Sequence, residues 1–529
     1  MIIAYLKRMT LLFSFLVFTV VMSCALNPDS DTSVRQVRVQ VGDGVYSGLI
    51  EGDDVHITDT LYQSQRDSAF RSEVLPLLSA QLLKPLVPRS VLGIHHTGHA
   101  PFYGPPTELG FYVPAPPDLY GRFPSSLADP GASIEIPSDA GRVVATPQLV
   151  IAIGQEAAML NPEQVDDVVL GCMLGIDLLE ADAYDTRGWV MARAADGWAP
   201  VGPWLVRGMP HRPIEFSLEL SGNETLSYSM QDPADMVRLW VSRISRVITL
   251  RAGDLLFMGV SPEVAAMAPE VVPGQTMVAR GTGLGELVNH TVAGKALPVL
   301  ALRDPVPPDD PRTLDPGEHH FEAWQPVVAP KIFCVVRNFT RNDSPPSVNL
   351  LEELHDRIRL KMPNSMGGKH TDIPILADAG KLNWEGELVV VIGRQGRHLS
   401  AREAWDHIAG YTVGNDVSEN HWGGLFEKSG DGWAVVGDTL VVGSDWRQWH
   451  LETWNNGELV QQGSMSAYRY SPAEIIAYLS RRITLDAGDL IYLGTIPRVP
   501  GTRQAMQAGD DVLVIIPGLG QVRNRVVAK

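Results

Sequence analysis

Cysteine is almost absent from this sequence, with three in 529 residues, at positions 24, 172 and 334. Cys172 and Cys334 lie inside apolar, strand-like runs, so neither a disulfide framework nor a thiolate metal site is available, and both read as buried small hydrophobes. Basic charge is also scarce, 43 Lys and Arg against 61 Asp and Glu, for a net charge of −18. That balance repels a phosphate backbone and an anionic membrane surface alike, which argues against nucleic acid as a partner. Beyond the N-terminus no run is long and apolar enough to span a bilayer. What is present, 45% hydrophobic residues with 49 Gly and 39 Pro, is a globular, turn-rich composition. At this length it calls for two or more domains filled mainly by short strands.

The N-terminus differs from the rest. Lys7 and Arg8 precede an uncharged run from Met9 to Leu26 whose apolar heart is Leu11 to Met22, the pattern of a secretory signal. The run closes on Val21-Met22-Ser23-Cys24, close to a bacterial lipoprotein box. Residues 1–26 are therefore expected to be a signal or lipoprotein segment with a lipid anchor on Cys24. The chain is then exported, either periplasmic or membrane-anchored. The competing readings are an uncleaved anchor and a start codon placed too far upstream, the latter leaving the protein cytoplasmic.

The chain repeats itself. Ile248-Thr-Leu-Arg-Ala-Gly-Asp-Leu255 returns as Ile483-Thr-Leu-Asp-Ala-Gly-Asp-Leu490 at an offset of 235, with seven of eight positions identical. The same offset links Asp196-Gly-Trp-Ala199 to Asp431-Gly-Trp-Ala434 and Gly283-Leu-Gly285 to Gly518-Leu-Gly520, while upstream an offset of 239 links Gln148-Leu149 to Glu387-Leu388 and Asp177 to Asp416. One offset recurring over three segments is a duplication. The copies are placed at 36–303 and 318–529, joined by a Pro- and Asp-rich linker at 304–317. Leu388 to Ile392 and Leu490 to Leu493 read as buried strands. Ser471-Pro472-Ala-Glu474 reads as a capping box opening a helix through about Ser480, and Asp232-Pro233-Ala-Asp235 as its counterpart.

Along the second copy an ordered string of motifs runs from Cys334-Val-Val-Arg-Asn338-Phe339 through Trp384-Glu385-Gly-Glu387, Gly410 to Ser418, Lys428-Ser-Gly-Asp431, Asn456-Gly-Glu458, Ile483 to Asp489 and Gly494-Thr495 to Gly518-Leu-Gly520. Eight landmarks in this order resemble the fumarylacetoacetate hydrolase superfamily across nearly the whole copy. The tandem arrangement resembles the two-unit isomerase and decarboxylase enzymes of homoprotocatechuate breakdown, which are cytosolic, so the export segment departs from them. The resemblance implies a predominantly β, α+β fold: two tandem mixed β-roll or sandwich units with few short helices.

Glu385 and Glu387 are one residue apart, which on a strand puts both carboxylates on one face. The resemblance brings Asp416 to the same place. Three hard oxygen ligands without His or Cys favour Mg²⁺ or Mn²⁺, with Ca²⁺ also admissible, over Zn²⁺. The small-molecule partner implied is a 2-oxo acid bound through its carboxylate and keto oxygens, the metal stabilising its enolate. Lys428 matches the family's active-site lysine, and Gly494 and Thr495 the turn that contacts the substrate carboxylate. The family's water-activating His is replaced by Asn342, left here as a substrate-binding candidate, because an amide is no general base. Asp343 and His355, the latter on the amphipathic segment Leu350 to Leu360, are the substitutes considered.

In the first copy Thr146 and Gln148 replace the two glutamates, Asp177 persists, Arg193 stands at the lysine position and Val260 at the threonine position, while His99 sits where the lid His belongs. This copy is expected to hold no divalent ion and to be structural, and the Gly-interrupted loop carrying His95, His96 and His99 does not fix a metal site. The functional expectation is a metal-dependent enzyme acting on a 2-oxo or enol (di)carboxylic acid by C–C hydrolysis, decarboxylation or keto–enol isomerisation, with its site in the second copy. The alternative is a lapsed member of the same fold that binds a small acid or a partner. A monomer of tandem units and a homodimer are both compatible with the duplication.

Overall fold

The computed structural model describes residues 34–58, 70–77, 80–94, 119–185, 190–297, 320–323, 329, 331–339, 354–376, 379–420, 425–442 and 446–529. The expected export segment at 1–26 with Cys24, and the linker at 304–317, lie outside the described residues. Among the described residues no helix is long and apolar enough to cross a membrane.

Strands dominate and helices are short. In the first copy Val143–Ile153 pairs antiparallel with Val169–Glu180, which pairs in turn with Ala199–Arg207. In the second copy Gly386–Ile392 pairs antiparallel with both Ile408–Asp416 and Leu490–Tyr492. Each copy's main sheet includes parallel pairs, among them Val91–Ile94 beside Leu255–Phe257 and Ile332–Val335 beside Leu490–Tyr492. Val143–Ile153 and Gly386–Ile392 are buried along their whole length, covered on both faces, which is why they read as continuous apolar runs. A five-stranded second sheet in each copy behaves differently. Its strand Asp511–Ile516 buries alternate residues, the mark of one packed and one wetter face.

The helix Pro472–Ser480 is capped as expected, with Glu474 N donating to Ser471 Oγ at 3.2 Å and Ser471 N donating to Glu474 Oε2 at 2.7 Å. Its counterpart Pro233–Ile244 forms without such a cap, because Asp232 has φ −123° and ψ 63°, not the extended backbone that aims a capping oxygen at the first turn. The expected amphipathic segment 350–360 also differs. Its described part is helical only to His355 and then becomes the strand Ile358–Lys361, paired with Ile332–Val335, because Ile358 and Leu360 bury on the sheet.

The two copies share one hydrophobic core, to which both Phe123 and Phe333 belong; their ring centroids lie 4.7 Å apart. A reciprocal pair of polar clasps closes the contact. Asp196 accepts from Thr484 N at 2.7 Å and Thr484 Oγ1 at 2.5 Å, and Asp431 accepts from Thr249 N at 3.1 Å and Thr249 Oγ1 at 2.5 Å. Both residues of one clasp are the offset-235 equivalents of those in the other, so the copies face each other about an approximate two-fold axis. Cys172 and Cys334 are buried free thiols. Burial pushes Cys172 up to about 12 and Cys334 well above its usual range, so neither is a nucleophile at neutral pH.

Candidate metal centre

The second copy's main sheet brings Glu385, Glu387 and Asp416 together: one carboxylate oxygen from each lies within 4.8 Å of the others. Backbone pairing explains the convergence. Asp416 N donates to Glu385 O at 2.8 Å and Glu385 N to Asn415 Oδ1 at 2.9 Å, which holds the start of one strand against the end of its neighbour. Between the glutamates only glycine fits, because a Cβ on Gly386 would stand 2.4 Å from Thr453 Oγ1 and 2.8 Å from a Leu451 methyl. Glu387 is anchored from the other side, its Oε2 accepting from Gly494 N at 2.7 Å.

Two ammonium groups face these acids. Lys428 Nζ donates to Glu385 Oε2 at 2.6 Å and to Asp416 Oδ2 at 2.7 Å, while Lys361 Nζ lies 2.8 Å from Asp416 Oδ1. Ser418 Oγ donates to Glu385 Oε1 at 2.7 Å. Glu387 and Asp416 respond oppositely to this setting. Burial, joined by the charge of Asp416, pushes Glu387 well above the carboxylate range. Burial pushes Asp416 the same way, but Lys361 and Lys428 outweigh it and hold Asp416 below the ordinary range. Lys428 is itself buried, and although that favours its neutral form, Asp416 and Glu385 keep it charged, well above its usual value. A donor set of three carboxylates, one of them raised by burial and by its neighbours' charge, fits a hard divalent cation, which offsets that repulsion.

The other expected site residues divide. Gly494 adjoins the cluster through its amide. Thr495 Oγ1 donates to Gly386 O at 3.3 Å and accepts from Gln461 Nε2 at 3.0 Å, which places it beside the Glu-Gly-Glu segment. His355 does not join them. Its Nδ1 lies 3.1 Å from Tyr478 Oη, and after burial its electrostatic neighbours are Arg482, Glu180, Asp356 and Asp139, at the contact between copies. The reason is the early end of its helix, which leaves His355 on the turn into the strand Ile358–Lys361. Asn342 and Asp343 lie outside the described residues, as do His95, His96 and His99. Lys361, Ser418 and Gln461 were not singled out from the sequence. Lys361 was accessible through the repeat, since Lys361-Met-Pro-Asn-Ser365 matches Arg122-Phe-Pro-Ser-Ser126 at the offset of 239.

The corresponding place in the first copy is a different chemical object. Asp177 pairs with Arg122 and, at 3.4 Å, with Arg193, and Gln148 Nε2 donates to it at 3.1 Å and to Thr146 Oγ1 at 3.0 Å. Tyr120 Oη reaches Asp177 Oδ2 at 3.3 Å, and the Arg193 guanidinium lies 4.2 Å from the Tyr120 ring centroid. Burial acts to raise Asp177, yet Arg193 and Arg122 hold it below the usual carboxylate range. One carboxylate between two guanidinium groups has no excess negative charge to offer a cation.

The sequence agrees with this duplicate architecture. The family model described as fumarylacetoacetate hydrolase C-terminal matches residues 105–292 and again 331–527. The chain is 28% identical over 409 residues to the 4-hydroxyphenylacetate degradation bifunctional isomerase/decarboxylase of Escherichia coli, covering 75% of this chain and 88% of that protein. It is 32% identical over 216 residues to a mitochondrial oxaloacetate tautomerase of Homo sapiens, covering 38% of this chain and 68% of that protein. Among solved structures, 5-carboxymethyl-2-hydroxymuconate delta-isomerase from Mycobacterium smegmatis aligns at 25% identity and TM-score 0.42 over 49% of this chain and 100% of that one.

Proposed function

The chain belongs to the fumarylacetoacetate hydrolase family, in two tandem copies, and on that basis we propose that it is a divalent-metal-dependent enzyme whose second copy acts on a 2-oxo or enol (di)carboxylic acid. The observation that carries this reading is the convergence of Glu385, Glu387 and Asp416 within 4.8 Å beside the buried ammonium of Lys428. When bound there, Mg²⁺ or Mn²⁺ supplies electrophilic stabilisation of an enolate oxygen. Lys428 spends two of its three N–H donors on Glu385 and Asp416, leaving a third to hydrogen-bond an oxyanion in a dry site, where such a bond is strongest. Thr495 and the Gly494 turn stand beside the cluster to orient a substrate carboxylate.

Keto–enol isomerisation and decarboxylation suit these residues better than hydrolysis. Moving a proton between an enol oxygen and the adjacent carbon, or losing CO₂ to leave an enolate, needs charge stabilisation but no activated water. Hydrolysis needs a general base, and Asn342 stands where the resemblance puts the family's His, while His355 is engaged with Tyr478. The relatives named for isomerase, decarboxylase and tautomerase activities support the same ordering. Asn342 also favours the second reading, a catalytically lapsed protein that binds a small acid. Location outside the cytoplasm, behind residues 1–26, is part of the proposal and is checked by lipid labelling of Cys24.

The test is thermal unfolding with and without Mg²⁺ or Mn²⁺, followed by turnover of oxaloacetate and acylpyruvates. The proposal expects a metal-dependent rise in melting temperature that Glu385→Ala abolishes, with tautomerisation or decarboxylation exceeding hydrolysis. Metal-dependent stabilisation without turnover of either substrate class supports the binder, and no stabilisation at all removes the metal reading.

A further inference from the structure

Lys361 is a fully buried lysine whose ammonium has three N–H donors and three acceptors in reach. It donates to Val417 O at 2.7 Å and Lys428 O at 2.7 Å, and lies 2.8 Å from Asp416 Oδ1. Two of its donors are thus spent on backbone carbonyls, and its charge is paired with the Asp416 carboxylate inside the protein. The first copy repeats the arrangement with a different side chain. Arg122 donates to Leu178 O at 2.9 Å, to Arg193 O at 2.5 Å and to the Asp177 carboxylate. Leu178, Arg193 and Asp177 are the repeat equivalents of Val417, Lys428 and Asp416. The grip has thus outlasted the loss of both metal-site glutamates, so its purpose is separable from holding an ion.

We propose that Lys361 is a positioning residue, whose ammonium fixes the strand end carrying Asp416 to the turn carrying Lys428. The strand Ile408–Asp416 ends at Asp416, and Lys428 stands on the turn that is described from Leu425 onward. That turn's internal tie is weak, Lys428 N donating to Leu425 O at 3.3 Å. Lys361 holds the turn's carbonyl from below, and its neighbour Met362 donates from N to Ser429 Oγ at 3.3 Å. With that carbonyl held, and Glu427 O accepting from Glu419 N at 2.9 Å, the Lys428 side chain falls between Glu385 and Asp416.

The experiment compares Lys361→Met and Lys361→Arg with the wild type, by amide hydrogen exchange in the metal-free protein and by Mn²⁺ titration. The metal arm rests on the proposed function; the exchange arm does not. Exchange over residues 425–430 is expected to accelerate in Lys361→Met and to return to the wild-type rate in Lys361→Arg, because arginine makes the same grip in the first copy. Mn²⁺ affinity is expected to fall about 10–100-fold in the Met variant, the range for residues that orient metal ligands, and to recover to within a few-fold in the Arg variant. Unchanged exchange in Lys361→Met overturns the proposal, as does an Arg variant that exchanges as fast as the Met variant. If Lys361→Met does not fold, Lys361→Arg decides alone, wild-type protection supporting the role and lost protection refuting it. A wild type that binds no Mn²⁺ defeats the metal reading and leaves the exchange result to stand for Lys361.

Discussion

The amide of Gly494 points at the Glu387 carboxylate, 2.7 Å from Oε2, from a backbone with φ of +109°. An L side chain rarely adopts that conformation, and a Cβ there would lie 2.9 Å from both Asn338 Cβ and Val335 O. Gly494→Ala is therefore expected to cost about 1–3 kcal/mol of unfolding free energy, measured by urea denaturation. It should also weaken metal-dependent stabilisation, because the amide that steadies Glu387 moves with it.

Burial and the charge of Asp416 hold the Glu387 carboxyl well above the usual carboxylate range in the metal-free protein. A metal ligand must be ionised. Calorimetric titration of Mn²⁺ in buffers of different ionisation enthalpy is expected to show proton release on binding, with affinity rising as pH rises. Binding whose affinity does not change with pH would contradict the upward shift of Glu387.

The reciprocal clasps supply a paired stability test. Asp196→Ala and Asp431→Ala each strand a threonine amide and hydroxyl on the opposite copy, at Thr484 and Thr249. Each is expected to destabilise the chain by about 1–3 kcal/mol, the cost of leaving such donors unmade. Because the partners lie in different copies, the loss should appear in the unfolding of both and not in one alone.

Stability should also depend on pH in a defined direction. Burial raises Asp254 to about 6 and Asp489 to about 7, from an ordinary 3.8. Between the ordinary and raised values the folded state holds protons that the unfolded chain has released, so stability falls as pH rises through that window. Asp177, Asp139 and Asp416 are shifted the other way by their arginine and lysine partners, after burial is overcome. Their contribution is present above the ordinary carboxylate range and is lost as pH falls through their depressed values. The melting temperature of metal-free protein is expected to be higher at about pH 5 than at about pH 8, and to fall again in stronger acid.

The family, its duplication and the central strands were legible because both depend on local patterns: glycine-punctuated motifs at fixed offsets, and apolar runs that stay apolar when both faces are covered. The Glu385 to Asp416 convergence was readable only through the resemblance, since the alternation of a strand says which face two glutamates share and nothing about what lies opposite. Lys361 escaped notice because a lysine in Ile358–Lys361 looks like a solvated edge. Its burial follows from the acceptors at Val417, Lys428 and Asp416, all distant in sequence. His355 was misplaced for a related reason, as helical periodicity upstream gave no sign that the helix stops at the turn into a sheet strand.

The Asp196–Thr484 and Asp431–Thr249 clasps join halves that are also joined through one polypeptide. Covalent linkage makes their association intramolecular, so the paired state does not melt away on dilution as a dimer of separate chains does. The half that carries Thr146 and Gln148 at the positions of Glu385 and Glu387 keeps the same clasp toward the other half, so that face is constrained whatever its interior holds.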